Sequence, residues 1–139
     1  MSMSMRNQLP GTVTAVHPGE VMATVKIRLA GGQQLTAAIT EEATKELRLA
    51  EGTPVHALVK ATEVSLATEP VDHISIRNQL AGTISEITMG TAMASVKVAV
   101  PGAEVTSAIT HESAAELKLA EGDSVVALIK STEVSLATA

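Results

Sequence analysis

The sequence predicts an all-β fold of two tandem OB-like small β-barrels, each with one short helix. The 139-residue chain repeats itself, and each copy alternates short β-type segments with one helix-type segment. The apolar residues are all aliphatic or methionine, since Phe, Tyr, Trp and Cys are absent. About five strands with a helix after the third is the order of an OB barrel. Periodicity alone does not separate that fold from another small β-barrel.

The repeat defines the domain organisation. Residues 4–13 (SMRNQLPGTV) return as residues 75–84 (SIRNQLAGTI), and residues 57–68 (ALVKATEVSLAT) return as residues 127–138 (ALIKSTEVSLAT). The copies therefore predict a first unit at residues 1–68, a linker at 69–74 and a second unit at 75–139. Units of this size bury only about 60% of their unfolded surface. We therefore expect the two units to pack together and the chain to oligomerise.

In each unit the spacing of the apolar residues changes once, from the alternation of a strand to the period of a helix. In the first unit, alternation predicts strands, and Gly31-Gly32 marks a hairpin between the second and third. Thr40 is expected to cap a short helix over residues 40–49, which has two acidic residues in its first turn and ends at Glu51-Gly52. Thr110 opens the equivalent helix of the second unit. The strands of the first unit are predicted at residues 12–17, 21–29, 35–39, 55–60 and 64–67.

Composition excludes several classes of function. The net charge is −5 and the basic residues do not cluster, which argues against a nucleic-acid or membrane-surface role. The absence of Cys excludes disulfides and thiol chemistry. No apolar run at the start is long enough for a signal peptide, so a cytoplasmic protein is expected.

A set of polar residues keeps its identity in both copies. The set comprises Ser4, Arg6, Asn7, Thr40 and Lys60, with Ser75, Arg77, Asn78, Thr110 and Lys130 as their equivalents. Singly, each has a structural explanation, as a turn former, a helix cap or a solvated strand lysine. Together, every member can donate a hydrogen bond and none is a carboxylate, which suits a fully deprotonated oxyanion. Phosphate, which keeps a proton near neutral pH, needs an acceptor and is expected to bind less well, and size must separate the ligand from sulfate.

The remaining polar residues point to no catalysis. None of the histidines recurs between the copies, and none has metal-ligand spacing, so no metal directly ligated by side chains is expected. No nucleophile or acid–base pair recurs, so we predict a protein that is not an enzyme and needs no organic cofactor. Lys26, Arg28 and Lys97 alternate outward and are interpreted as edge or surface charges.

Four short motifs, in the same order in both copies, resemble the Mop domain of the molbindins, which bind molybdate. The Mop hallmark Ser-Ala-Arg-Asn is matched at three of four positions by residues 4–7 (SMRN) and 75–78 (SIRN). The Gly-Thr-Val/Ile stretch follows in both units, then Ala-Ile-Thr at residues 38–40 and 108–110. The final Lys followed by Ala or Ser is present as Lys60-Ala61 and Lys130-Ser131.

The resemblance implies a function, an assembly and a site. It implies molybdate or tungstate as the ligand, bound at interfaces between units of a homotrimer, for intracellular molybdenum storage and homeostasis. Met5 and Ile76 replace the Ala of the hallmark and would shrink a pocket if they pointed inward, and the difference between Ala61 and Ser131 implies unequal sites. The implied oxyanion-binding residues are Ser4, Met5, Arg6, Asn7, Thr40, Lys60 and Ala61 in the first unit, with Ser75, Ile76, Arg77, Asn78, Thr110, Lys130 and Ser131 in the second.

Two alternatives remain from the sequence. An oligonucleotide-binding OB-fold protein would stack bases on aromatic side chains in a basic groove, and this acidic chain has no aromatic residue. An inert structural oligomer is the other alternative, against which the recurring lysine in an apolar context argues. Because an acidic protein repels a dianion at long range, binding would depend on local donors in a partly desolvated interface.

Overall fold

The computed structural model describes residues 3–5 and 7–139, and antiparallel strands make up most of them. The first unit contains β1 (Asn7–His17), β2 (Met22–Leu29), β3 (Gln34–Thr40), α1 (Glu41–Glu46), β4 (Pro54–Val59) and β5 (Val64–Ala67). The second contains β6 (Asn78–Met89), β7 (Met93–Val100), β8 (Ala103–Thr110), α2 (His111–Glu116), β9 (Ser124–Ile129) and β10 (Ser135–Thr138). A 3-10 turn precedes the last strand of each unit, at Ala61–Glu63 and Ser131–Glu133.

The predicted all-β class and the order of elements are confirmed, with small differences at the ends of elements. The first strand begins at Asn7 rather than at residue 12, and α1 ends at Glu46. The helix is shorter than predicted because Arg48 adopts a positive φ of 53°, which no right-handed helix accommodates. Lys60 lies one residue beyond the end of β4 and is exposed.

The two units exchange their last strands. One five-stranded sheet has the order β10-β4-β1-β2-β3, and the other has the order β5-β9-β6-β7-β8. In the register, Leu136 lies opposite Ala57, while Leu66 lies opposite Ala127. The sequence analysis did not predict this exchange. Residues 64–68 and 134–138 are identical, so either strand has the side chains to close either sheet.

Each sheet curls around a core that both units share. The first strand of each unit has a bulge at an equivalent place, between Val13 and Ala15 and between Ile84 and Glu86, which bends the strand. The buried residues form one continuous aliphatic cluster that includes Ile27 from one unit and Val98 from the other. The expectation that the units pack together is therefore confirmed.

Two asparagines cover the free edges of the sheets. Asn78 Nδ2 donates to Thr36 O at 2.8 Å, and Thr36 N donates to Asn78 Oδ1 at 2.7 Å. Asn7 makes the same pair of bonds with the main chain of Thr106, at 2.8 and 2.7 Å. Because β3 and β8 are edge strands, each carboxamide replaces a missing strand partner. Both asparagines are buried, so these bonds are partly shielded from water.

The two β-hairpin turns between the second and third strands of each unit also meet at the boundary between units. A Cβ added to Gly31 would lie 1.8 Å from Pro101 O, so the close approach of the two turns requires glycine at this position. The turn is one residue longer in the first copy than in the second, and it is a packed contact and not a free surface loop.

Replacing Asn78 by Ala tests the contribution of the carboxamide. The change leaves the Thr36 N–H and C=O without their partners at a shielded edge, and we expect the free energy of unfolding to fall by about 2–4 kcal/mol. Urea unfolding followed by circular dichroism measures the change. Ser65→Ala, at an exposed strand position, is the control, and a loss below about 0.5 kcal/mol in Asn78→Ala would contradict the role.

The strand exchange is tested by a pair of matched proline substitutions. Ala137 lies opposite His56 in β4, and Ala67 lies opposite Val126 in β9. Because proline disrupts the strand that carries it, Ala137→Pro should lower amide-exchange protection in β4, and Ala67→Pro should lower it in β9. Hydrogen exchange with mass spectrometry reads both segments. The opposite pattern, with Ala137→Pro loosening β9, would show that each unit closes its own sheet.

Candidate functional site

A cleft of about 640 Å³ lies where three segments of the chain meet. The first unit provides its β2–β3 face, and the second unit provides both its entry into β6 and the turn that follows β9. The lining residues are Thr24, Lys26 and Thr36, then Ser75 and Arg77, then Lys130, Ser131 and Thr132. The cleft is therefore formed by both units of one chain.

The cleft has the chemistry of an anion site. Its lining offers five hydroxyl groups, two ammonium groups and one guanidinium group, with no carboxylate among the described residues that line it. Ser131 Oγ is buried and has no hydrogen-bond partner in the part of the chain that the structure describes. A buried hydroxyl without a partner is costly, and a bound oxyanion would satisfy it. The donor set thus fits a tetrahedral oxyanion.

Strand alternation positions the first-unit side chains. Along β2, the residues Ala23, Val25 and Ile27 enter the core, so Thr24 and Lys26 face solvent between them. Thr36 lies opposite Lys26 on β3, and the Asn78 carboxamide holds its main chain. These residues are therefore fixed by sheet register and by a contact with the other unit.

The strand exchange positions the second-unit side chains. Lys130, Ser131 and Thr132 lie between β9 of the second sheet and β10 of the first, so the chain crosses between sheets at this turn. Lys130 is exposed and has extended backbone, with φ of −66° and ψ of 137°. The crossing brings the lysine of the second unit to the β2–β3 face of the first.

Four of the predicted site residues lie together in this cleft, namely Ser75, Arg77, Lys130 and Ser131. Two of their predicted neighbours do not line it. Ile76 is half-buried. Asn78 is buried against Thr36, so the Asn78 side chain supports the β3 main chain, which forms part of the cleft lining. The predicted direct contact of these two side chains with a ligand stays a prediction.

The repeat gives each of these residues an equivalent in the other copy. Ser95, Lys97 and Thr106 occupy the register positions of Thr24, Lys26 and Thr36. In the sequence, Ser4, Lys60 and Ala61 correspond to Ser75, Lys130 and Ser131, and Asn7 holds Thr106 as Asn78 holds Thr36. Arg6 lies outside the described residues. Met5 is half-buried, and its carbonyl accepts a hydrogen bond from Gln8 at 3.1 Å.

Thr40 and Thr110 lie elsewhere and cap the two helices. The Thr40 hydroxyl accepts from Ala43 N at 3.1 Å, and the Thr110 hydroxyl accepts from Ser113 N at 3.1 Å, as the sequence predicted for a helix cap. Thr40 lines a separate cleft of about 440 Å³ whose other residues include Glu20, Glu41 and Glu42. Three carboxylates against one ammonium group, that of Lys45, would repel an anion there. The structure does not bring these threonines to the first cleft.

The sequence analysis missed four residues of the cleft, namely Thr24, Lys26, Thr36 and Thr132. Lys26 was interpreted as a surface charge, and it is indeed exposed, but it lines the cleft. A usable signal was present, because each of the four has an equivalent of the same chemistry in the other copy, in Ser95, Lys97, Thr106 and Thr62. The signal was not recognised, because polar residues at the outward positions of strands are common and need no functional explanation.

Two further observations concern other kinds of site. The described residues contain no group of three or more His, Asp and Glu side chains placed to hold a metal ion. No helix among residues 3–5 and 7–139 is both long enough and apolar enough to span a bilayer.

Comparison with known proteins places the chain in a family. The model of the TOBE domain matches residues 3–66 and again residues 74–136. The chain is 41% identical over 138 residues to the molybdenum transport protein ModE of Azotobacter vinelandii, covering 99% of this chain and 51% of the relative. It is 41% identical over 140 residues to the molybdenum-pterin-binding protein MopA of Rhodobacter capsulatus, covering 99% of this chain and 52% of the relative. The chain thus spans about half the length of these curated relatives.

A solved structure resembles the chain over its whole length. The cytoplasmic molybdate-binding protein ModG, in a form with molybdate bound, has a TM-score of 0.96 to this chain and is 42% identical to it, with 100% of both chains covered. The match includes both units and their relative placement. With two TOBE matches and this likeness, the chain belongs to the TOBE-domain family, as a tandem Mop-like member of it.

Proposed function

We propose that this chain binds molybdate, with tungstate as the alternative ligand, in the cleft between its units and in the equivalent second set of residues. The main support for this proposal is the cleft lined by hydroxyl groups and three cationic side chains, in which the buried Ser131 hydroxyl lacks a partner among the described residues. ModG, which binds molybdate, and MopA, which binds molybdenum-pterin, are related to the chain over nearly its whole length. The chain is a binding protein, like these relatives, and not an enzyme.

The donor set explains how the cleft would choose its ligand. Lys26, Arg77 and Lys130 offset the charge of a dianion, and charge-assisted hydrogen bonds are the strong ones. The serine and threonine hydroxyls donate to the remaining oxygens, with Ser131 already desolvated. A protonated phosphate brings an O–H donor that the cationic groups cannot accept, so a serine or threonine hydroxyl would have to accept it and could not then donate to the same oxygen. Sulfate has no such penalty, so the larger size of molybdate must supply that discrimination.

The biological role that fits is cytoplasmic storage and homeostasis of molybdenum. The net charge of −5 does not attract an anion from a distance, so binding depends on local donors, which suits reversible buffering better than rapid capture. The chain matches about half of the ModE relative, so the activities of that whole protein are not transferred to it. An oligonucleotide-binding role is disfavoured, because the chain has no aromatic residue for base stacking.

The assembly we propose is a homotrimer of chains, six units in all, whose neighbours close the clefts. The cleft of about 640 Å³ is much larger than one tetrahedral oxyanion, so a single chain leaves it open. Met22 and Met93 occupy equivalent positions and are 45% and 46% exposed, and Val21 beside Met22 is 72% exposed. Exposed apolar side chains at symmetric positions are typical of an interface. Sedimentation velocity would then give the mass of three 14.3 kDa chains.

Thermal unfolding in the presence of oxyanions tests the ligand. Molybdate at a hundredfold excess over its Kd should stabilise the folded protein by about 2.7 kcal/mol and raise Tm, because it binds only the folded state. Differential scanning calorimetry with molybdate, tungstate, sulfate and phosphate at equal concentration compares the ligands. Equal stabilisation by sulfate would remove the proposed specificity, and no shift with molybdate or tungstate would contradict binding.

Lys130→Ala tests the cleft itself. Removing this ammonium group should weaken molybdate binding about tenfold, because a charge-assisted contact is lost, while the barrel stays folded. Isothermal titration calorimetry measures the affinity, and urea unfolding checks the fold. Lys45→Ala removes an equal charge outside this cleft and serves as the matched control. Retained affinity in Lys130→Ala would exclude Lys130 from the site.

A further inference from the structure

We propose that the two equivalent oxyanion sites of one chain have unequal affinities, and that Glu86 and Glu104 weaken the site at Lys97 relative to the cleft at Lys26. This inference rests on the proposed function and adds to it which site fills first. It follows from a comparison of the two units at matched register positions, where the fold is the same and the side chains differ.

The first difference lies opposite the central lysine. In the β1–β2 register Lys26 stands opposite Ala15, whereas in the β6–β7 register Lys97 stands opposite Glu86. The Lys97 ammonium and the Glu86 carboxylate are 3.8 Å apart, with side chains 42% and 55% exposed. The Lys97 charge is therefore partly offset before any ligand arrives, and the Lys26 charge faces a methyl group.

The second difference lies one strand away, on the same surface. Gln34 of β3 is paired with Arg28, while the equivalent Glu104 of β8 is paired with Ala99. The single proton of the Ser85 hydroxyl is shared between two acceptors, Glu104 Oε2 and Lys97 O, each 3.2 Å from Ser85 Oγ. The Glu104 carboxylate is thus held close to the second site.

These differences between the units make the local charge of the second site more negative than that of the first. Lys26 and Arg28 give the β2–β3 face of the first unit a charge of +2, with Ala15 and Gln34 neutral. Lys97, Glu86 and Glu104 give the equivalent face of the second unit a charge of −1. Lys60 is the equivalent of Lys130 in the repeat, so the lysine of this motif is common to both units and does not cancel the difference.

The third difference lies in the turn that faces the ligand. Ser131 offers a buried hydroxyl without a partner to the first cleft, and Ala61 stands at the equivalent position of the second. The second site therefore lacks one donor as well as positive charge. All three differences favour the cleft at Lys26.

The size of the effect is set by solvent screening. The charged groups are largely exposed, and exposed pairs at physiological salt contribute a factor of about two to five in an equilibrium constant. Several such factors act together with the loss of the Ser131 donor, so we expect the two affinities to differ by about ten- to a hundredfold. Binding would then occur in two phases, and the protein would buffer molybdate over a wider concentration range than one class of site allows.

Reciprocal exchange of the acidic residues tests this inference. Glu86→Gln, in the full-length protein titrated with molybdate at low salt by isothermal titration calorimetry, should strengthen the weaker class of site about two- to fivefold and leave the tighter class unchanged. Gln34→Glu places a carboxylate at the first-unit position equivalent to Glu104, and should weaken the tighter class by a similar factor. Both positions are exposed, and circular dichroism with urea unfolding confirms that each variant folds.

The possible results separate the two proposals. The inference is supported if the wild-type protein shows two classes of site. The affinities of the two classes should also become more similar in Glu86→Gln and when salt is raised. A single class of equal sites in the wild-type protein, or two classes that neither substitution changes, would overturn it and leave molybdate binding intact. No binding of molybdate or tungstate by the wild-type protein would contradict the proposed function itself.

Discussion

The exchange of the last strands is the constraint on which the rest of the structure depends. Because β10 joins the sheet of the first unit, the turn before it, with Lys130 and Ser131, must cross to that unit. The crossing places this turn beside Thr24, Lys26 and Thr36, which no single unit could do alone. The same exchange merges two small aliphatic cores into one, which offsets the marginal stability of units of this size.

Beside the helix caps Thr40 and Thr110, the recurring polar residues have two physical roles. Asn7 and Asn78 are buried and use their carboxamides on the edge strands of the other unit, so they position the site. Ser75, Arg77, Lys130 and Ser131 face the cleft and are free to meet a ligand. Apart from Ser131, whose counterpart is Ala61, the residues of both roles keep their identity in both copies. The repeat alone therefore does not distinguish a cleft-lining residue from one that holds the edge strand.

Local and overall electrostatics differ in sign. The chain carries a net charge of −5, yet three cations and no carboxylate line the cleft among the residues that the structure describes. Acidic side chains lie elsewhere, including the second cleft beside Thr40 and the surface around Lys97. Since screening confines each charge to about 8–10 Å, the potential in the cleft follows the local set of charges, and the two halves of a repeat can differ in local charge without changing fold.

The sequence by itself determined the β-class, the repeat, the helix caps and four residues of the cleft, because periodicity, N-cap chemistry and motifs are local properties. Only the tertiary structure decided which sheet each last strand joins, since residues 64–68 and 134–138 are identical and chain connectivity permits both pairings. The tertiary structure likewise turned Lys26 from a surface charge into a cleft residue and Asn78 into an edge cap. Those roles depend on contacts between residues distant in sequence, which no local pattern encodes.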